Sequence, residues 1–158
     1  MSKEINNLII KDASICFKNF RGEGTPFNPA GRRGFSVIFR DPDTVAELSA
    51  DGWNLKPLKK RNEEDEPAWH LPVAVKFEVR PPQIYIVTYP NGRMKKTEIT
   101  EESINMLDFA EISKIDLIVT PYNWEMNGSR GIKAYLKTMY VTVVTDELAD
   151  EYYTEEEE

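Results

Sequence analysis

Cysteine and histidine are almost absent: Cys16 and His70 occur once each in 158 residues. A lone cysteine excludes an intramolecular disulfide, and one Cys with one His leaves no Cys/His metal cluster. No cofactor or metal ion is therefore expected, and a reduced cytoplasm is the expected compartment. Long apolar runs are missing as well. The longest is Ile84-Tyr85-Ile86-Val87, far short of the roughly 20 residues a membrane helix needs. Residues 1–7 lack the basic start and apolar stretch of a secretory signal. Signatures of enzymes are scarce too. There is no phosphate-cradling glycine loop followed by Lys-Ser/Thr, and Gly22-Glu23-Gly24 lacks the third glycine of a dinucleotide fingerprint. His70 stands without a catalytic constellation, Cys16 reads as a small packed hydrophobe, and the acids at 63–66 read as a solvated loop. A non-catalytic protein is expected.

Charge is unevenly distributed along the chain. Residues 146–158 carry eight acids and no base, so 27 acids less 8 leaves 19 against 20 bases in residues 1–145. The overall charge of −7 belongs to the tail, and the body is near neutral at +1. We read a domain over 1–145 and a flexible acidic tail over 146–158. A low isoelectric point therefore does not exclude a nucleic-acid partner.

What is present is mostly strand-like. Residues 13–20, 34–40, 73–79, 83–89, 115–124 and 131–144 are rich in β-branched and aromatic residues or alternate with a period of two. Two short helices are expected. One starts at Asp41-Pro42 and leaves at Gly52; the other follows Thr100, with Ile104, Leu107 and Ala110 on one side. Asn91-Gly92 and Asn127-Gly128 each read as a type I′ hairpin turn. With residues 41% hydrophobic and 11% aromatic, the expectation is a mainly β fold: a small, closed or nearly closed β-barrel with long hairpins.

The second hairpin carries the functional signal. A two-residue turn at Asn127-Gly128 makes Trp124 oppose Gly131, Tyr122 oppose Lys133, Thr120 oppose Tyr135 and Ile118 oppose Lys137. One face then collects Tyr122, Trp124, Lys133, Tyr135 and Lys137, and the other Leu117, Val119, Ile132, Ala134 and Leu136. Flat rings beside cations suit single-stranded nucleic acid, because bases stack on the rings and phosphates meet the charges. Pro121 implies an edge or a bulge within that strand. The mixture recurs along Phe17-Lys18-Asn19-Phe20-Arg21, at Arg32-Arg33-Gly34-Phe35, at Trp53 with Lys56 and Lys59, and at Arg93 and Lys95. Phe20, Arg21, Arg32, Arg33, Phe35, Trp53, Lys56, Lys59, Arg93 and Lys95, with Tyr122, Trp124, Lys133, Tyr135 and Lys137, form the expected binding set.

Residues 17–22, 27–35, 51–56 and 121–137 together resemble a family of bacteriophage single-stranded DNA-binding proteins, a likeness extending over about residues 5–145 with the acidic tail as a further shared trait. The resemblance implies an oligonucleotide/oligosaccharide-binding (OB) barrel that coats single strands during phage replication and recombination. It also implies an acidic terminus that contacts replication or recombination proteins, here Asp150, Glu151, Tyr152, Tyr153, Glu155, Glu156, Glu157 and Glu158. Two rival readings are an RNA-binding module on the same barrel and an acidic DNA mimic that binds a basic protein.

Overall fold

The Asp41-Pro42 signal is met in full. Asp41 caps α1 (Pro42–Asp51): its carboxylate accepts from the Asp43 amide at 3.3 Å and the Thr44 hydroxyl at 2.7 Å. Gly52 ends the helix at φ 106°, the left-handed conformation that glycine takes without strain. Val45 and Leu48 are the buried side. The computed structural model describes residues 6–24, 31–60, 62–78 and 80–144, so the tail expected over 146–158 lies outside them.

Among the described residues, nine strands form one sheet: β1 (Leu8–Ile10), β2 (Ser14–Asn19), β3 (Arg33–Phe39), β4 (Lys56–Pro57), β5 (Trp69–Val75), β6 (Gln83–Thr88), β7 (Lys95–Ile99), β8 (Ile112–Met126) and β9 (Ser129–Val143). The main path runs β1-β8-β9-β5-β3-β2, with β4 on β5 and the β6–β7 hairpin on β9. Hydrogen bonding does not close this path. Its ends, β1 and β2, are joined through residues 11–13, and the Ala13 amide donates to the Ile115 carbonyl at 2.8 Å. The N-terminal segment thus spans from β8 to β3 around one shared core, built on Phe20, Val37, Leu71, Ile84, Leu117, Val119 and Met139. The architecture is that of a nearly closed barrel. Among the described residues, no helix is long and apolar enough to cross a membrane.

The β8–β9 turn is the expected two-residue one, with Asn127 at φ 51° and Gly128 at φ 82°. Trp124 opposes Gly131, Tyr122 opposes Lys133 and Thr120 opposes Tyr135. The expected Ile118–Lys137 pair does not form. Ile118 opposes Thr138 and Val119 opposes Leu136, so Lys137 is an extra residue in a bulge. The cause is a change of neighbour: β9 runs parallel to β5 at Ala134 and Tyr135, then parallel to β6 from Thr138 onward. The bulge resets the alternation, and Leu136 and Met139 are both buried across it. Pro121 sits in register opposite Ala134, beyond Val119, where pairing with β1 ends. Proline is tolerated there as at an edge.

Two local expectations change. Asn91-Gly92 is not a two-residue hairpin turn, because Pro90 starts a 3-10 helix (Pro90–Gly92) and pairing begins only at Thr88–Lys95. The segment after Thr100 is also a 3-10 helix (Ile104–Asp108), whose three-residue repeat suits burial of Ile104 and Leu107.

Candidate nucleic-acid interface

An open cleft of about 1140 Å³ lies over the β3–β5 part of the sheet. Its floor is Gly34–Ser36 and Pro72–Val75; one wall is the β8–β9 hairpin, the other the end of β2 with the segment at Asp108-Phe109. Gly34 keeps the floor flat, since a Cβ there would stand 2.8 Å from the Val73 carbonyl oxygen.

The hairpin wall presents the expected face. Trp124 is 41% exposed and lines the cleft with Lys133. Its indole rests on Gly131, where a Cβ would come within 2.9 Å of the ring. The Lys133 ammonium lies 5.4 Å from the Tyr135 ring centroid, and Lys76 approaches the same ring at 5.6 Å. Tyr122 meets Tyr135 edge-on at 5.9 Å. Four of the hairpin residues are thus gathered with one lysine that the sequence reading missed.

The opposite wall is braced by one carboxylate. Asp108 accepts the backbone amides of Phe20 at 2.8 Å and Arg21 at 2.9 Å, and its Oδ2 stands 3.9 Å from the Arg21 Nε. Arg21 also pairs with Glu23, and its guanidinium lies over the Phe109 ring at 5.3 Å. At the floor, Arg33 pairs with Glu101 at 3.9 Å and lies over Phe77, while its Nε is buried without a hydrogen-bond partner among the described residues. Arg32 follows Gly31, whose amide donates to the Gly22 carbonyl at 2.8 Å. Lys56 arrives because the end of α1 docks on the hairpin: the Ile132 amide donates to the Gly52 carbonyl at 3.1 Å, and Trp53 bridges to Ile132. His70, beside Lys56 on β5, shares a 2.9 Å hydrogen bond with the buried Ser36 hydroxyl. Its pKa is lowered, first by burial and then by the Lys56 charge.

The expected set therefore divides. Arg21, Arg32, Arg33, Lys56, Trp124 and Lys133 meet in the cleft, with Tyr122 and Tyr135 alongside. Phe20, Phe35 and Trp53 belong to the expected binding set, but at 0%, 3% and 4% exposure their rings are part of the core. Phe20 packs against Phe35 at 5.3 Å. Their burial follows from the contacts they make in the shared core. Lys59 opens on a separate hollow with Arg40, Lys60 and Asp65. Arg93 and Lys95 ride on the β6–β7 side, and Lys137 sits on the bulge, none of them lining the cleft. The expected partner contacts Asp150, Glu151, Tyr152, Tyr153 and Glu155 to Glu158 lie outside the described residues. The cleft is also lined by Phe17, Lys18, Lys76, Phe77 and Phe109, which lie outside the expected binding set. The pair Phe17-Lys18 carried the same ring-and-cation signal as its neighbours; Phe109, in a segment read only for its buried side, carried none.

A family model for the phage ssDNA-binding domain matches residues 1–157. The chain belongs to the phage ssDNA-binding domain family. Solved structures agree on the fold of this ssDNA-binding domain. The single-stranded DNA-binding protein from bacteriophage Enc34 in complex with ssDNA aligns with a TM-score of 0.54 at 9% identity, over 89% of this chain and 88% of that one. A second structure of the Enc34 protein aligns at 0.51 and 10% identity, over 93% and 90%. No curated protein matches the chain.

Proposed function

We propose that this member of the phage ssDNA-binding domain family binds single-stranded DNA in the cleft, without catalysis and largely without sequence preference. The observation that carries the reading is the Tyr135 ring flanked by the Lys76 and Lys133 ammonium groups next to the exposed Trp124. Stacking surface and phosphate-neutralising charge lie side by side, which is what an unpaired strand requires and what serves any base equally. The cleft is open rather than enclosed, as a polymer that enters sideways demands. The Arg33 Nε, buried and without a partner among the described residues, adds a donor at the floor. Coating of single strands during phage DNA replication and recombination is the role this supports.

The acidic segment over 146–158 competes for the same cations, because a tethered polyanion carries the ligand's charge, and it offers replication proteins a handle. The test is a titration of the full chain with oligo-dT of about 30 nucleotides, read by tryptophan emission. Trp53 is buried and Trp69 half-buried, so Trp124 is the tryptophan that meets the cleft. Saturable quenching that weakens with salt supports the reading, and deletion of 146–158 should tighten binding most at low salt. Matched oligo-rU decides against RNA when it binds more weakly. A flat titration with both forms of the protein refutes the reading.

A further inference from the structure

We infer that Phe17 and Phe109 form a second base-stacking platform on the wall facing Trp124, held in place by Asp108 as a positioning residue. This rests on the proposed single-strand reading and extends it to a wall that the hairpin does not touch.

Three independent observations converge. The first is backbone. Phe17 has φ 54°, a left-handed conformation that a bulky side chain adopts only under strain. It falls inside the irregularity between Cys16 and Asn19, where β2 loses register with β3. Bulges re-aim side chains beside functional sites, and strain of this kind persists where the surroundings impose it. The strain gains no burial in return, since the ring stays 65% exposed.

The second is bracing. The Phe17 ring meets the His70 ring edge-on at 5.1 Å, and His70 is itself anchored on Ser36. Phe109 is 73% exposed, and the Arg21 guanidinium at 5.3 Å from its centroid braces it in the same manner. Each ring has a polar or cationic support together with a large exposed surface. That is the disposition of a stacking platform, whereas a ring left over from the core has no such support.

The third is placement. Phe17 and Phe109 line the same cleft as Trp124, though they come from segments 92 residues apart. Asp108 joins those segments by taking the amides of Phe20 and Arg21 on its two oxygens. Phe109 is the next residue along, so this carboxylate sets its position relative to Phe17. A strand lying in the cleft then meets rings from both walls, with Lys18 close to the second set.

The experiment compares oligo-dT with an abasic strand of equal length, which keeps the phosphates and removes the bases. Phe17→Leu and Phe109→Leu should each weaken oligo-dT binding by roughly tenfold, leave abasic binding at the wild-type level and leave the salt slope unchanged. Phe17→Gly should weaken oligo-dT binding equally while keeping or raising the melting temperature, because glycine takes φ 54° freely. Asp108→Asn should lower oligo-dT affinity more than abasic affinity, since it loosens the carrier of Phe109. Equal losses on both strands in the Phe variants would make the rings merely structural and overturn the inference. So would unchanged oligo-dT affinity in both variants when Lys133→Ala is weakened, an outcome that leaves the cleft reading standing. If the wild-type protein does not bind oligo-dT, both fall together.

Discussion

Replacing Lys76 and Lys133 together by alanine tests the electrostatic half of the cleft most directly. Arg21 and Arg33 already face Glu23, Asp108 and Glu101, so their charge is partly spent before a phosphate arrives. Lys18, Lys56, Lys76 and Lys133 line the cleft without an acid partner among the described residues. Each phosphate neutralised on a single strand contributes about −0.7 to the slope of log affinity against log salt. Counting these four lysines alone, the wild-type slope is about −2.8, and affinity falls about fifty-fold between 50 and 200 mM salt. Without Lys76 and Lys133 the slope is about −1.4 and the fall about sevenfold over the same range. The assay is the oligo-dT fluorescence titration repeated at several salt concentrations, with thermal melting as a control. Both lysines are exposed, so the melting temperature should stay within about 4 °C for two surface changes of this kind. A double variant with the wild-type slope would show that phosphates do not pass over Tyr135, and the reasoning would fail.

The other predictions are narrower. Glu101→Gln removes the anion facing Arg33 and should tighten oligo-dT binding severalfold while making the salt slope steeper, read in the same titration; weaker binding would refute it. Gly34→Ala drives a Cβ against the Val73 carbonyl oxygen, a backbone atom that pairing holds in place. It should cost about 1–3 kcal/mol, a melting temperature lower by roughly 3–10 °C. His70 has a lowered pKa, so the unfolded chain binds its proton first as pH falls. The neutral imidazole's contribution is intact above the ordinary value of about 6.5 and declines below it. The melting temperature between pH 7 and 5 should therefore drop less in His70→Asn than in the wild type.

What the sequence determined by itself is whatever depends on neighbours a few residues away. Asp41, Pro42 and Gly52 specify α1 because capping and left-handed termination are local. Asn127-Gly128 specifies its turn, and the turn specifies the register out to Val119–Leu136, which is why Tyr122, Trp124, Lys133 and Tyr135 could be placed on one face. The tertiary structure decided the rest. Lys137 leaves that register because β9 exchanges β5 for β6 at this point, a contact between strands distant in sequence. Phe20, Phe35 and Trp53 share the ring-and-cation context of a binding residue, yet they are core because each packs into the one buried apolar cluster. Phe17 is turned outward by an irregularity in β2, and Phe109 is carried to the cleft by a carboxylate contact spanning 88 residues between Asp108 and Phe20. Residue type carries the chemistry of stacking and charge, but which ring is buried and which meets a strand depends on how distant segments close around the core.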